Sequence, residues 1–417
     1  MWRQILQQIW NQRRANVWLW AELMVVTVLL WYGIDLVYNY EGALHQPKGY
    51  DTDCVFDLMV GTQSIEVIDD ADNQRAGEDF TYLYNLIKDY PGVEEVCAYY
   101  GCVPYSDNNM FEGYSPHTDS AHVVRTFIRY VTPSYFNVFR LKPLAGTLDE
   151  SRWNTGEYPI PVLMSADLAD SLFHPRTLTE TVGKTCFNPY FLHSDRPLTN
   201  YRVMAVLPHH KLDDYQRYAP FIYLPLDNAL FWQNIAIRVS PDHAAGFAER
   251  FRRDMQSVFD RGIFYLDYIR SYDDMKAAYD VQQGTVNYLN TAYAVAAFFV
   301  FNVFLCVLAT FWYRTHKRRC EIALRMAMGS SQTAVLRYFL AEGLSLLLLA
   351  AIPALVIALH LQMADLTVHT LVDTSWERFL VCFAGAVIML AGVIALSIWY
   401  PAHRVMHIVP AEALHDE

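Results

Sequence analysis

Charge is scarce in this sequence. Only 18% of its 417 residues are Asp, Glu, Lys or Arg, while 53% are hydrophobic. Soluble domains carry about 25% charged residues, so the composition argues against a purely soluble chain. The signatures of catalysis are missing as well. None of the seven cysteines forms a Cys-x-x-Cys pair, and their irregular spacing gives no metal signature. There is no Gly-x-Ser-x-Gly elbow and no His-Glu-x-x-His helix. Gly183-Lys184-Thr185 has the tail of a phosphate loop, but the motif needs glycine where Leu178 stands, so the sequence carries no ATPase site of its own. His209-His210 and Asp213-Asp214 lie in a polar loop without the i, i+4 histidine spacing of a helical metal site, and no metal is assigned to them. The expectation is a non-enzymatic chain that binds no cofactor.

Long apolar runs are present instead. A helix needs about 20 mostly apolar residues to cross the hydrocarbon layer. Stretches 17–38, 291–313, 338–361 and 379–400 meet that requirement. The last contains no charge, and Leu344–Leu359 is interrupted only by Ser345 and Pro353. The first is weaker, with Glu22 and Asp35 near its ends, but Trp18, Trp20, Trp31, Tyr32 and Tyr38 bracket it as an aromatic belt would. A cleaved signal peptide is the rival reading. No Ala-x-Ala-like site follows the apolar centre, which favours an uncleaved anchor.

Orientation follows from the basic residues. Arg3, Arg13 and Arg14 precede the first span, and Arg314, Lys317, Arg318, Arg319, Arg325 and Arg337 lie between the second and third. Asp365, Asp373 and Glu377 lie between the third and fourth. Both termini and the second-to-third loop are therefore expected in the cytoplasm of an inner-membrane protein. Glu22 and Glu342 fall near cytoplasmic ends and Asp35 near an outer end, where each can reach headgroups or pair with a neighbouring helix.

The 247 residues from Asn39 to Thr285 hold 21 Lys+Arg against 34 Asp+Glu. They form an acidic block unsuited to nucleic acid, whose phosphates need a basic surface. Strand-like and helix-like patterns alternate at both ends of the block. Cys54–Val60, Glu78–Tyr90 and Val93–Tyr99 form one strand–helix–strand unit, and Asn234–Val239, His243–Phe259 and Ile263–Leu266 form another. Between them Val123–Arg129, Ile160–Met164, Thr185–Phe187, Tyr201–Leu207 and Phe221–Leu224 read as short strands. The predicted fold class is an α+β membrane protein: four transmembrane helices, with a large extracytoplasmic domain between the first two. The predicted organisation is an amphipathic segment 1–16, span 17–38 and an outward domain 39–285. That domain divides into porter-like parts 39–120 and 228–285 around a β-rich insert 121–227. Span 286–313 follows with its outward extension, then a cytoplasmic elbow 314–337, span 338–361, outer loop 362–378, span 379–400 and tail 401–417. Outside the cytoplasm disulfides are permitted. Cys97 and Cys102 flank only four residues and allow a local bridge, free buried thiols being the alternative.

The elbow is the most informative segment. Glu321–Met328 has a helical pattern, Gly329 can end it, and Ser330 or Ser331 can cap the next helix. Ile322, Met326 and the Arg325 stem would form a small exposed knob. A basic amphipathic elbow resting on lipid headgroups is the other reading. Glu321-Ile-Ala-Leu324-Arg325-Met326-Ala-Met-Gly329-Ser330-Ser331 resembles the elbow of the MacB/FtsX-like permeases of ABC transporters. Glu342 is similar to that family's recurring downstream glutamate, and Pro410-Ala-Glu-Ala-Leu414 to its usual ending. Tyr135-Phe136 followed by Leu144-Ala-Gly146-Thr147 resembles its Tyr-Phe…Leu-x-x-Gly-Arg run, and Val182–Thr185 and Val203–Val206 resemble later landmarks. Ala323, Ser330 and Thr147 depart from the usual Gly, Ala and Arg, all small changes.

The resemblance extends over nearly the whole chain. It implies that the elbow is a coupling helix docking into an ATPase on a separate polypeptide, which binds ATP and Mg. It implies a second permease copy or sister permease, a periplasmic adaptor and an outer-membrane duct, with membrane lipids around the spans. The implied function is export by mechanotransmission. Lipoprotein release, or FtsX-like regulation of cell-wall hydrolases, is the alternative.

Overall fold

The computed structural model describes residues 7, 13–62, 70–101, 103–118, 122–153, 156, 158–189, 200–226, 234–259, 263–317, 328, 331–367, 371–373 and 375–406. They divide into two compact units. One combines the chain before His45 with the chain from Thr285 onward, and the other is His45–Gly284.

The first unit holds four long helices: α1 (Arg13–Leu44), α7 (Thr285–Lys317), α8 (Gln332–Met363) and α9 (Trp376–Met406), their numbers leaving α2 to α6 for the second unit. Each contains a segment long and apolar enough to cross a membrane: Val17–Leu44, Thr285–Tyr313, Thr333–Met363 and Trp376–Tyr400. At 1.5 Å per residue a helix of about 30 residues exceeds the ~30 Å hydrocarbon layer, so the helices outrun the spans expected from hydropathy. Leu23, Trp31, Val307, Phe311, Phe339, Leu347, Cys382, Leu390 and Ile394 pack together at their centre. Ala350, Ala354 and Ala358 recur at helical spacing and are fully buried, as small residues do where membrane helices approach closely.

The second unit is built on one sheet. Its strands are β1 (Val55–Thr62), β2 (Val93–Gly101), β3 (Phe111–Tyr114), β4 (Val124–Val131), β5 (Ala145–Gly146), β6 (Ile160–Ser165), β7 (Thr185–Phe187), β8 (Asn200–Leu207), β9 (Phe221–Pro225), β10 (Asn234–Val239) and β11 (Phe264–Ser271). The order is β11-β1-β10-β2-β4-β9-β6-β8-β5, with β3 on β4 and β7 on β8. Each of the first four of these strands is antiparallel to its neighbour. Helix α2 (Asp70–Lys88) links β1 to β2, helix α4 (Ala166–Phe173) follows β6, and helix α5 (Phe247–Phe259) links β10 to β11. This is a split β-α-β arrangement. Phe80, Leu83 and Ile87 of α2 and Phe247, Phe251 and Phe259 of α5 share a core with Phe56, Leu58, Ile235 and Ile237 of the sheet.

The strands of the β-rich insert continue this same sheet through β2–β4 pairing, Tyr99 standing opposite Val131. One further core joins the two regions: Val55, Cys97 and Ala236 pack with Val131, Leu163 and Tyr223, and with Tyr272 and Tyr279 of helix α6 (Tyr272–Gln282). The single helix expected over His243–Phe259 is broken. A short turn spans Pro241–Ala244, and Gly246 takes φ 64 before α5 begins, a left-handed conformation cheap for glycine.

Candidate functional site

Of the residues that the resemblance assigns to coupling, Ser331 is described. It is the N-cap of α8, its hydroxyl accepting the Ala334 N–H at 3.3 Å, and so satisfies a donor that the first helical turn leaves without a partner. Glu321, Ile322, Leu324, Arg325, Met326, Gly329 and Ser330 lie outside the described residues, as does Pro410. Three turns into α8, Glu342 is buried at 1% exposure. Beside it is a residue that sequence reasoning passed over. A Cβ on Gly343 would lie 2.6 Å from Ile398 Cδ1 and 2.9 Å from Ile394 Cγ2, so glycine here sets the approach of α8 to α9.

At the other end of the helices Asp35 is paired. Arg378 Nε and Nη2 donate to its two carboxylate oxygens, each at 2.7 Å. Arg378 Nη1 also donates to the Val372 carbonyl at 2.9 Å, and Asn39 Oδ1 accepts the Val372 N–H at 2.9 Å. α1, α9 and the turn before α9 are thereby joined by hydrogen bonds, those between Asp35 and Arg378 buried. Opposite charges at the outer ends of spans one and four were the available sequence signal. Between the two ends, the buried hydroxyls of Thr27, Ser345 and Ser397 donate to carbonyls one turn back in their own helices.

In the sheet unit, Tyr135 and Phe136 form the short helix α3 (Tyr135–Val138). Tyr135 is wholly inside; its hydroxyl accepts from Arg129 Nη1 at 3.1 Å, and its ring lies 4.5 Å from Phe139. Phe136 packs edge-on against Trp153 and Tyr223. Gly146 has φ 76, and a Cβ there would press into the Met204 carbonyl oxygen. Phe136 and Gly146, ten residues apart, line one groove of about 440 Å³ with Asn137, Leu141, Leu148 and Glu150. The later landmarks also meet: Gly183 N–H donates to the Val203 carbonyl at 2.8 Å, and Val203 N–H to the Lys184 carbonyl at 3.0 Å.

The polar loop at 209–214 disperses its side chains. His209 Nδ1 is 2.8 Å from Asp167 Oδ1. His210 is buried against Phe221 and Tyr223, and burial, helped by Arg129, pushes its imidazole down to about 3, so it is neutral. Asp213 accepts the Tyr215 N–H at 2.8 Å, while Asp214 meets two lysines. The four side chains thus have separate partners rather than a common centre.

Of the two cysteines that allowed a local bridge, Cys97 is described. Cys97 is a free, fully buried thiol in mid-β2. Cys102 lies outside the described residues.

This combination, four apolar helices with a large split β-α-β sheet domain between the first two, defines a multi-pass membrane protein with an extracytoplasmic domain. Two family models match it: the MacB-like periplasmic core domain over residues 51–253 and the FtsX-like permease C-terminal domain over residues 293–410. Together they take in most of the chain, which belongs to the MacB/FtsX-like permeases, the non-catalytic membrane components of ABC transporters that work with an ATPase partner. Two solved structures are similar to the outward domain. The periplasmic region of MacB from Actinobacillus actinomycetemcomitans has 14% identity and TM-score 0.35, covering 57% of this chain and 97% of that one. The extracellular domain of the noncanonic ABC-type transporter YknZ from Gram-positive bacteria has 14% identity and TM-score 0.32, covering 50% and 98%. No curated protein matches.

Proposed function

We propose that this chain is the permease subunit of a MacB-type exporter. ATP binding and hydrolysis on a separate cytoplasmic ATPase move the elbow, and the helices carry that motion to the outward domain. Two outward domains, from two copies or from sister permeases, then drive substrate onward through an adaptor and an outer-membrane duct. In this reading the protein lies in the inner membrane with both termini in the cytoplasm, and ATP and Mg reside on the partner.

The observation that carries the reading is where the polar groups of the helical unit lie. Glu342 is buried near one end and Asp35, Asn39 and Arg378 at the other, and between them the Thr27, Ser345 and Ser397 hydroxyls are taken up by backbone carbonyls. Among the described residues such an interior offers a solute no polar path of the kind secondary transporters build at mid-membrane. It suits helices that transmit motion.

Purification from the native host in mild detergent, with mass spectrometry of co-purifying proteins, tests this. An ATPase together with an adaptor or duct is the expected result. An ATPase with lipoproteins or their carrier would replace export by lipoprotein release, and no ATPase would overturn the reading. Replacing Ile322, Arg325 and Met326 together is expected to abolish ATPase association in an otherwise folded protein.

A further inference from the structure

Two chain segments lead from the sheet unit toward the spans. One follows α1, where Lys48 stands four residues after Leu44; the other is α6, which ends at Gln282, just before α7 begins at Thr285. Both converge on one side chain of the sheet unit. Asp214 has a fully buried carboxylate. Lys48 Nζ lies 2.9 Å from its Oδ1, the Tyr105 hydroxyl donates to the same oxygen at 2.8 Å, and Lys276 of α6 pairs with Oδ2.

The loops around Asp214 reinforce this convergence. Lys211 N–H donates to the Lys48 carbonyl at 3.1 Å, and Lys48 Nζ donates to the Tyr105 hydroxyl at 2.9 Å. The Tyr105 ring meets Tyr279 of α6 edge-on. Asp107 accepts from the side-chain amides of Gln282 and Gln283, the latter at 2.7 Å. The loop after β2 and the loop after β8 therefore form a socket holding both segments, and those loops spring from the interior of the sheet.

We infer that Asp214 is the joint through which displacement of the segments leaving spans one and two reaches the outward sheet. It is a positioning residue, and the inference rests on the transmission reading above. A buried carboxylate shared by two cations ties their segments together, because moving either alone takes one cation from a charge that no water can reach to compensate. Lys48 and Lys276 thus deliver one input to the sheet rather than two.

The test uses the full permease with its ATPase in nanodiscs, comparing hydrogen exchange in nucleotide-free and ATP-bound complexes. In the wild type, protection is expected to change with ATP in residues 45–50 and 272–284 and in strands β8 and β9. In Asp214→Asn the nucleotide-free protection of the strands is expected to persist while their ATP-dependent change is lost. A purely structural role would alter the nucleotide-free pattern instead. Should Asp214→Asn lose that pattern, Lys48→Met and Lys276→Met decide, since each leaves Asp214 one cation; each is expected to reduce the ATP-dependent change. Unchanged strand responses in the variants that fold would overturn the joint. No ATP response of the outward domain in the wild type would instead overturn the transmission reading.

Discussion

Arg378 lays the edge of its guanidinium on Asp35, with two nitrogens each 2.7 Å from a carboxylate oxygen, at a site where both side chains are less than a tenth exposed. Paired hydrogen bonds of this kind fix geometry as well as energy. Around them, Asn39 and the Val372 backbone complete a network joining three segments.

Removing one member strands the other. Arg378→Ala or Asp35→Ala is expected to destabilise the helical unit by about 3–5 kcal/mol. The double replacement Asp35→Leu with Arg378→Met is expected to cost less than either single change, because no buried charge remains. Thermal unfolding in detergent, run as a double-mutant cycle, measures the difference. Additive losses would refute the coupling.

At Gly343 the atoms a new side chain meets are the ends of Ile394 and Ile398. These ends can yield, so Gly343→Ala is expected to cost about 1 kcal/mol, and Gly343→Leu about 1–3 kcal/mol or more as α8 and α9 are forced apart. Equal melting temperatures for the alanine and leucine variants would contradict this packing.

Gly146 differs because its obstacle is backbone. Its φ of 76 and the Met204 carbonyl oppose any Cβ. Gly146→Ala is therefore expected to destabilise the sheet unit by about 1–3 kcal/mol, read as a lowered unfolding midpoint. A neutral result would mean that β5 is free to leave the sheet edge.

Burial lifts the Asp57 carboxyl to about 6, although the Tyr99 and Tyr268 hydroxyls donate to it and Arg270 stands near. The folded protein then holds this proton more tightly than the unfolded chain. Its contribution to stability should fall as pH rises from about 4 to about 6, then level off. Asp57→Asn is expected to flatten that part of the stability–pH curve. A variant with the wild-type slope would show that Asp57 does not titrate there.

The sequence was most legible where one local pattern decides. Four apolar runs determine four helices because the hydrocarbon layer leaves the backbone no other partner. Alternation and turn residues place most strands, and β10 begins and ends where its pattern does, at Asn234 and Val239. Ser331 was readable as a cap because a serine oxygen before a helix has a donor within reach. The short strands β3 and β5 were not readable: four and two residues carry too little periodicity, and their pairing with β4 and β8 supplies what propensity does not.

Tertiary structure alone decided which distant residues meet. Hydropathy saw an insert between two strand–helix units, whereas β2–β4 pairing makes it part of one sheet. Lys48, Asp214 and Lys276 are separated by more than sixty residues at each step, so no window of sequence contains their contact. Local order is governed by the solvent around each segment, lipid or water, and composition records that. Ion pairs, close helix approach and strand neighbours depend on how the chain returns to itself, and only the folded molecule settles them.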